Sequence, residues 1–163
     1  GTLNEAFDLP ERELDEYRDD GIEDSSSKGF LLARRLAERG VAFTTVVNMQ
    51  WDHHYKIVEA MKEQAPTLDH GLAALMEETK GWAIVAAFGE FGRTPKVNAG
   101  AGRDHWPESS TAILSGNGLV YGSTDKYGQA KDGIVEPAKL RKTILALAGN
   151  TYVENEVVIP ALT

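Results

Sequence analysis

The chain has 163 residues, is 42% hydrophobic and 8% aromatic, and carries a formal net charge of −8; that is room for one domain with an ordinary core and too much apolar material for disorder. The acid excess argues against partners such as nucleic acid or an anionic membrane, and no apolar run is long enough to cross a bilayer. With no cysteine, disulfides and thiolate metal sites are excluded, and nothing in the chain reads as a secretory signal.

Residues 1–24 read as an acidic, irregular flank whose sizeable anchors are Phe7, Leu9, Leu14 and Tyr17. Pro10 to Glu13 suits the first turn of a short helix. Asp24-Ser25-Ser26-Ser27 offers an N-cap for a helix that runs to about Arg39. Phe30, Leu31, Ala33, Leu36 and Ala37 fall on its inner face, and Gly40 stops it. Val41 to Val47 is apolar and β-branched, which predicts a central parallel strand. Asn48 to His54 is the loop that leaves it.

Tyr55 to Lys80 reads as helical, with an interruption near Pro66 and with Leu68, Leu72, Leu75 and Met76 at helical spacing. Gly81 ends it. Ala83 to Phe88 is a second core strand, Gly89 to Pro107 a glycine-rich loop and Ser110 to Leu114 a third strand. Residues 116–132 are turn-rich. Pro137 opens a last helix that turns Leu140, Ile144 and Leu147 inward and closes at Gly149-Asn150, after which 157–159 suits a short edge strand. The alternation predicts a single α/β domain over residues 1–163, with a mostly parallel sheet flanked by helices.

Three of the four histidines fall in two clusters that each follow a predicted strand: Trp51-Asp52-His53-His54 and Arg103-Asp104-His105-Trp106. Parallel strands emerge at one edge of a sheet, so the two clusters are expected to meet. Asp52, His54, Asp104 and His105, with Glu90 as a further carboxylate, form an oxygen and nitrogen donor set suited to a divalent metal such as zinc, manganese or calcium. The competing reading pairs each aspartate with its neighbouring histidine and needs no metal. Arg93 and Arg103 are the candidate holders of a phosphate, sulfate or carboxylate; equally, each satisfies spacing as a salt bridge to Glu90 or Asp104. Trp51 and Trp106 read as core plugs and His70 as a surface residue. Ser109, Ser110 and Thr111 have no base fixed beside them by sequence.

Ala33-Arg34-Arg35-Leu36, Trp51-Asp52-x-His54, Gly89-Glu90-Phe91-Gly92-Arg93-Thr94-Pro95 and Gly102-Arg103-Asp104-His105-Trp106-Pro107, in that order, resemble a large bacterial family, the domain of unknown function numbered fifteen-oh-one. The last two blocks are its most specific motifs, and the family is grouped with the alkaline phosphatase and sulfatase superfamily. The resemblance implies part of an alkaline phosphatase-like core and a metal-dependent hydrolase of phosphate or sulfate esters, acting on an anionic small molecule or glycan ester. It implies Asp52 and His54 as one ligand pair and His105 as a later ligand; a rival alignment gives Asp104 and His105 to a second metal.

Three departures stand out. Asn48 to His54 replaces the family's usual Gly-Gly-Trp-Asp-Thr-His. The spacing from Asp52 to His54 is shorter than the superfamily's. The superfamily's nucleophile lies in an N-terminal half, so residues 25–163 correspond to a C-terminal half, either as a fragment or as a short form. Two other readings follow from that: a non-catalytic anion- or glycan-binding module, or a structural subunit of a homo-oligomer. The family's relatives look exported.

Overall fold

The computed structural model describes residues 1–18, 25–116 and 120–149. The expected cap at Asp24, the end at Asn150 and the edge strand at 157–159 lie outside the described residues. The chain divides into two compact units, one of Gly1–Thr79 with Ala99–Gly102 and one of Lys80–Asn98 with Arg103–Thr163.

The first unit is helical. A 3-10 turn, Leu3–Phe7, leads to the short helix α1, Glu11–Leu14, and a second 3-10 turn, Asp15–Tyr17. The longer helices are α2, Ser25–Glu38, and α3, Ile57–Glu78. The core is built from Ala6, Leu14, Tyr17, Phe30, Leu31, Leu72 and Leu75. Ala33, Leu36 and Ala37 of α2 are half-buried. Gly40, at φ +83°, ends α2: its amide donates to Ala37 O (2.9 Å) and the Val41 amide to Leu36 O (3.1 Å), which satisfies the last carbonyls of the helix.

The acidic segment at the start of the chain is not an irregular flank but a run of helical turns over residues 3–17. It supplies Ala6, Leu14 and Tyr17 to the core, although Phe7 is exposed and Leu9 only half-buried. Arginines of α2 draw it in. Arg35 Nη1 donates to both carboxylate oxygens of Glu13 (3.0 and 2.9 Å), while its other nitrogens reach Ala6 O (3.3 Å) and Glu5 O (2.7 Å). Arg39 Nε donates to Thr2 O at 3.0 Å. Arg34 joins Glu13 to Glu38 (2.6 Å) and Glu78 (2.8 Å). The Tyr17 hydroxyl donates to Glu78, and Ser27 Oγ donates to Tyr17 O at 2.9 Å. Excess acid in this segment is thus matched by excess base on one face of α2, a complementarity that composition alone hides.

Burial works against the charge on Glu13, but the hydrogen bonds and positive charge of Arg35 and Arg34 outweigh it and hold its carboxyl below the usual carboxylate range. A carboxyl lowered on folding contributes stability that is present above its unfolded value and lost as pH falls through the folded one. Urea unfolding midpoints are therefore expected to fall between neutral pH and pH values below about 4, and Glu13→Gln flattens that slope. An unchanged slope in the variant contradicts this assignment.

Two expectations for the first unit fail. Helix α3 runs unbroken through Pro66. Proline removes the bond to Lys62 O, but both residues are exposed, so water replaces the missing amide. Residues 41–47, read as a central strand, form no ladder among the described residues, and Phe43 (83% exposed) and Val47 (75%) face solvent. Strand propensity states only that a segment suits a pleated surface; a partner has to be present.

Among the described residues the second unit holds three two-stranded antiparallel pairs and a helix. Strand β1, Ala86–Phe88, pairs with β4, Ala112–Leu114; β2, Gly92–Arg93, with β3, His105–Trp106; β5, Ser123–Thr124, with β6, Ala130–Asp132. Helix α4, Pro137–Leu147, starts with proline in its first turn and turns Leu140, Ile144 and Leu147 into half-buried positions around the fully buried Thr143. The protein thus mixes helices and strands, but every described ladder is antiparallel and the expected parallel sheet is not among them. The paired stretches are only two or three residues per strand, too short to build the buried parallel core that the longer apolar runs suggest. Among the described residues no helix is long and apolar enough to cross a membrane.

Candidate metal centre

In the first unit, the chain between α2 and α3 carries one of the two histidine clusters. Asp52 Oδ1 lies 3.1 Å from His54 Nδ1, with Asp52 exposed and His54 half-buried. Two donors bound at about 2.0 Å to one tetrahedral cation stand roughly 3.3 Å apart, so this separation suits a shared ion as well as it suits a direct carboxylate–imidazole hydrogen bond. His53 does not join the pair: its Nε2 is 2.8 Å from Gln64 Oε1 on α3. Trp51 is tied locally, donating from Nε1 to Asn48 Oδ1 at 3.0 Å. His70 is exposed on α3.

What holds this stretch in place is a distant one, Ala99–Gly102. Tyr55 and Ala101 form an antiparallel bridge. The amides of Lys56 and Ile57 donate to Gly100 O (3.1 Å) and Ala101 O (2.8 Å). These carbonyls cap α3, whose own N-cap residue, Lys56, makes no side-chain cap; a helix start otherwise leaves its first amides unsatisfied. The approach is close enough that a Cβ on Gly102 would stand 2.0 Å from the carbonyl carbon of His54. Lys56 (φ +48°) and Ala101 (φ +58°) both adopt the left-handed conformation. Each such residue costs of order 1 kcal/mol and persists only where its surroundings impose it, a pattern concentrated at functional sites.

In the second unit, the motif Gly89 to Pro107 folds into a hairpin. Arg93 pairs with His105 and Gly92 with Trp106. The turn between the strands is laced together by its own polar groups. Thr94 accepts the Asp104 amide on Oγ1 (3.1 Å) and donates that hydroxyl to Lys96 O (2.9 Å), while its amide reaches Asp104 O (3.0 Å). Asn98 Nδ2 donates to Asp104 Oδ1 at 2.9 Å. Arg103 Nη1 donates to Thr94 O and to Pro95 O (2.7 Å). Arg103 is therefore a tie on carbonyls within its own loop, not the salt-bridge partner of Glu90 or Asp104 that spacing allowed. His105 packs against Phe91 with ring centroids 4.3 Å apart, and the Arg93 guanidinium lies 5.7 Å from the same ring. Glu90 and His105 are exposed, and Trp106 is half-buried.

Asp52 and His54 are in contact, and Arg93 and His105 face one another in register. Asp104 is engaged by Asn98. The positions that sequence reasoning missed are Lys56, Asn98 and Ala101; the Gly-Ala-Gly run at 100–102 was the available signal, since two glycines flanking one residue mark a close backbone approach.

The family model described as "Protein of unknown function (DUF1501)" matches residues 1–155. No curated protein and no solved structure matches the chain.

Proposed function

The chain belongs to the DUF1501 family, and from that premise we propose that it is the metal-holding part of a hydrolase of phosphate or sulfate esters, related to the alkaline phosphatase and sulfatase superfamily. In this reading Asp52 and His54 are one ligand pair for a divalent cation, and His105 is the later ligand that the resemblance implies. The observation that carries it is the pinning of Ala99–Gly102 onto residues 54–57. His105 follows Gly102 by three residues, which tethers its Cα within about 11 Å of the Gly102 Cα. The donor chemistry supports zinc or manganese: one carboxylate and two imidazoles suit those ions, whereas calcium takes oxygen ligands.

When bound, such a cation polarises an ester oxygen and lowers the pKa of a coordinated water. The chain's own residues do the rest. Asp52 Oδ1 and His54 Nδ1, 3.1 Å apart, stand at the separation of two donors that share one ion. Arg93 meets the anionic ester oxygens. Arg103, committed to Thr94 O and Pro95 O, shapes the loop that delivers His105, and Asp104 and Glu90 stand outside the ligand set.

Isothermal titration of the chelator-treated protein with Zn²⁺ and Mn²⁺ tests this. The wild type is expected to take up one ion, and Asp52→Asn and His105→Ala to bind it at least about tenfold more weakly. No uptake by the wild type, or a His105→Ala isotherm like the wild type's, removes the metal reading. Turnover of p-nitrophenyl phosphate or p-nitrophenyl sulfate then separates a hydrolase from a metal-dependent binding module or an oligomer subunit.

A further inference from the structure

The second unit contains one more organised surface feature, the tip of the β5–β6 hairpin. Its turn is fixed to an unusual degree for an exposed loop. Asp125 Oδ1 accepts the amides of both Tyr127 (2.8 Å) and Gln129 (3.0 Å). The Asp125 amide donates to Gln129 O (2.8 Å), and the Gly128 amide to Asp125 O (3.0 Å). At the base of the hairpin Gly122 and Gly133, both with positive φ, are in close contact. Gly128 sits against Pro95, close enough that its Cβ would be 3.4 Å from the proline ring.

Pro95 is the residue whose carbonyl Arg103 holds. The tip is therefore docked onto the loop that runs through Arg103 and Asp104 into His105. What the rigid turn displays is Tyr127, 66% exposed, with Lys126 Nζ 4.9 Å from its ring centroid. A large aromatic ring left in water on a locked turn, with an ammonium over it, combines a stacking surface with a positive charge. The flat C–H face of a sugar ring stacks on tyrosine, and an ester anion on that sugar meets the ammonium.

We propose that Tyr127 and Lys126 form a subsite for a sugar carrying a sulfate or phosphate ester, placed beside the loop that bears His105. This deepens the hydrolase reading by giving its ester substrate a sugar-binding subsite, and rests on that reading for its place in the reaction. The sugar stacks on Tyr127, Lys126 selects the esterified over the neutral sugar, and Asp125 is a positioning residue that holds both.

The test is binding, not turnover. Saturation-transfer NMR and titration calorimetry use a methyl glucoside carrying one sulfate ester, with the unesterified glucoside and inorganic sulfate as controls. The wild type is expected to prefer the sulfated glucoside to both controls. Tyr127→Ala weakens that binding by about fivefold to tenfold and Tyr127→Phe retains it. Lys126→Gln erases the preference for ester over neutral sugar, and added salt reduces that preference in the wild type. Zn²⁺ uptake stays unchanged in all three variants, because none supplies a metal ligand. Sugar binding that persists in His105→Ala after metal uptake is lost separates the subsite from the metal centre. Equal binding by wild type and Tyr127→Ala, or no preference for the sulfated glucoside over inorganic sulfate, overturns the proposal whatever the metal titration shows.

Discussion

Gly102→Ala is expected to weaken metal uptake by at least about tenfold, the range seen when the support around a ligand is disturbed. The new methyl would stand 2.0 Å from His54 C, 2.2 Å from His54 O and 2.3 Å from Tyr55 N. All three are backbone atoms, so no rotamer change relieves the overlap. Residues 54–55 and 100–102 must separate. Doing so stretches the bonds from Lys56 N to Gly100 O (3.1 Å) and from Ile57 N to Ala101 O (2.8 Å), uncaps α3 and displaces the His54 ring. Ala101→Gly is the control: it removes a Cβ from a left-handed position (φ +58°) and should bind the ion as the wild type does. A Gly102→Ala isotherm that overlays the wild type's refutes the coupling between this contact and the ligand pair.

Gly92→Ala carries the largest expected loss of stability. Its Cβ would fall 1.7 Å from Ser109 O and 2.8 Å from Ser109 C. The β2–β3 hairpin must then leave residues 109–110, the stretch that leads into β4. Overpacking against fixed backbone costs on the order of 3 kcal/mol. That corresponds to a fall in Tm of roughly 6 to 12 °C for a chain of this size, read by calorimetry. A shift under about 2 °C means that the hairpin is free to move away from Ser109.

Much of the helical structure was legible in the residues. The apolar spacing over Phe30 and Leu31, and over Leu72 and Leu75, marks faces that are indeed buried. Gly40, Gly81 and Gly149, taken as helix stops, all have positive φ near the observed ends. Pro137 opens α4 as expected. These are local signals, each written within one turn of the position it controls. Pairing is not local. Nothing within Val41 to Val47 reports whether a neighbouring strand exists, and nothing within Ala86–Phe88 reports that its partner, Ala112–Leu114, runs the opposite way. Leu14 and Tyr17 were legible as anchors and are buried, but the groups that receive Tyr17, Glu78 and Ser27, were not, because they lie outside its own segment.

At the candidate site the donor types were legible, since a carboxylate and imidazoles announce themselves by chemistry. The Asp52–His54 spacing made their contact foreseeable. The role of Arg103 was not, because charge suggests an anion while the structure spends one of its nitrogens on two carbonyls. Nor was the left-handed backbone at Lys56 and Ala101, where residue type argues against the conformation and only the clamp between the two segments imposes it.

That clamp also bears on how the molecule comes into being. The amides at the start of α3 find their acceptors in Gly100 and Ala101, on a four-residue segment, Ala99–Gly102, that rejoins the first unit after the chain has left it at Thr79. On a ribosome, the helical half therefore stays unfinished while the next stretch is synthesised. A gene cut after Thr79 yields a piece whose long helix begins ragged, and no single cut between the halves gives two independently complete products.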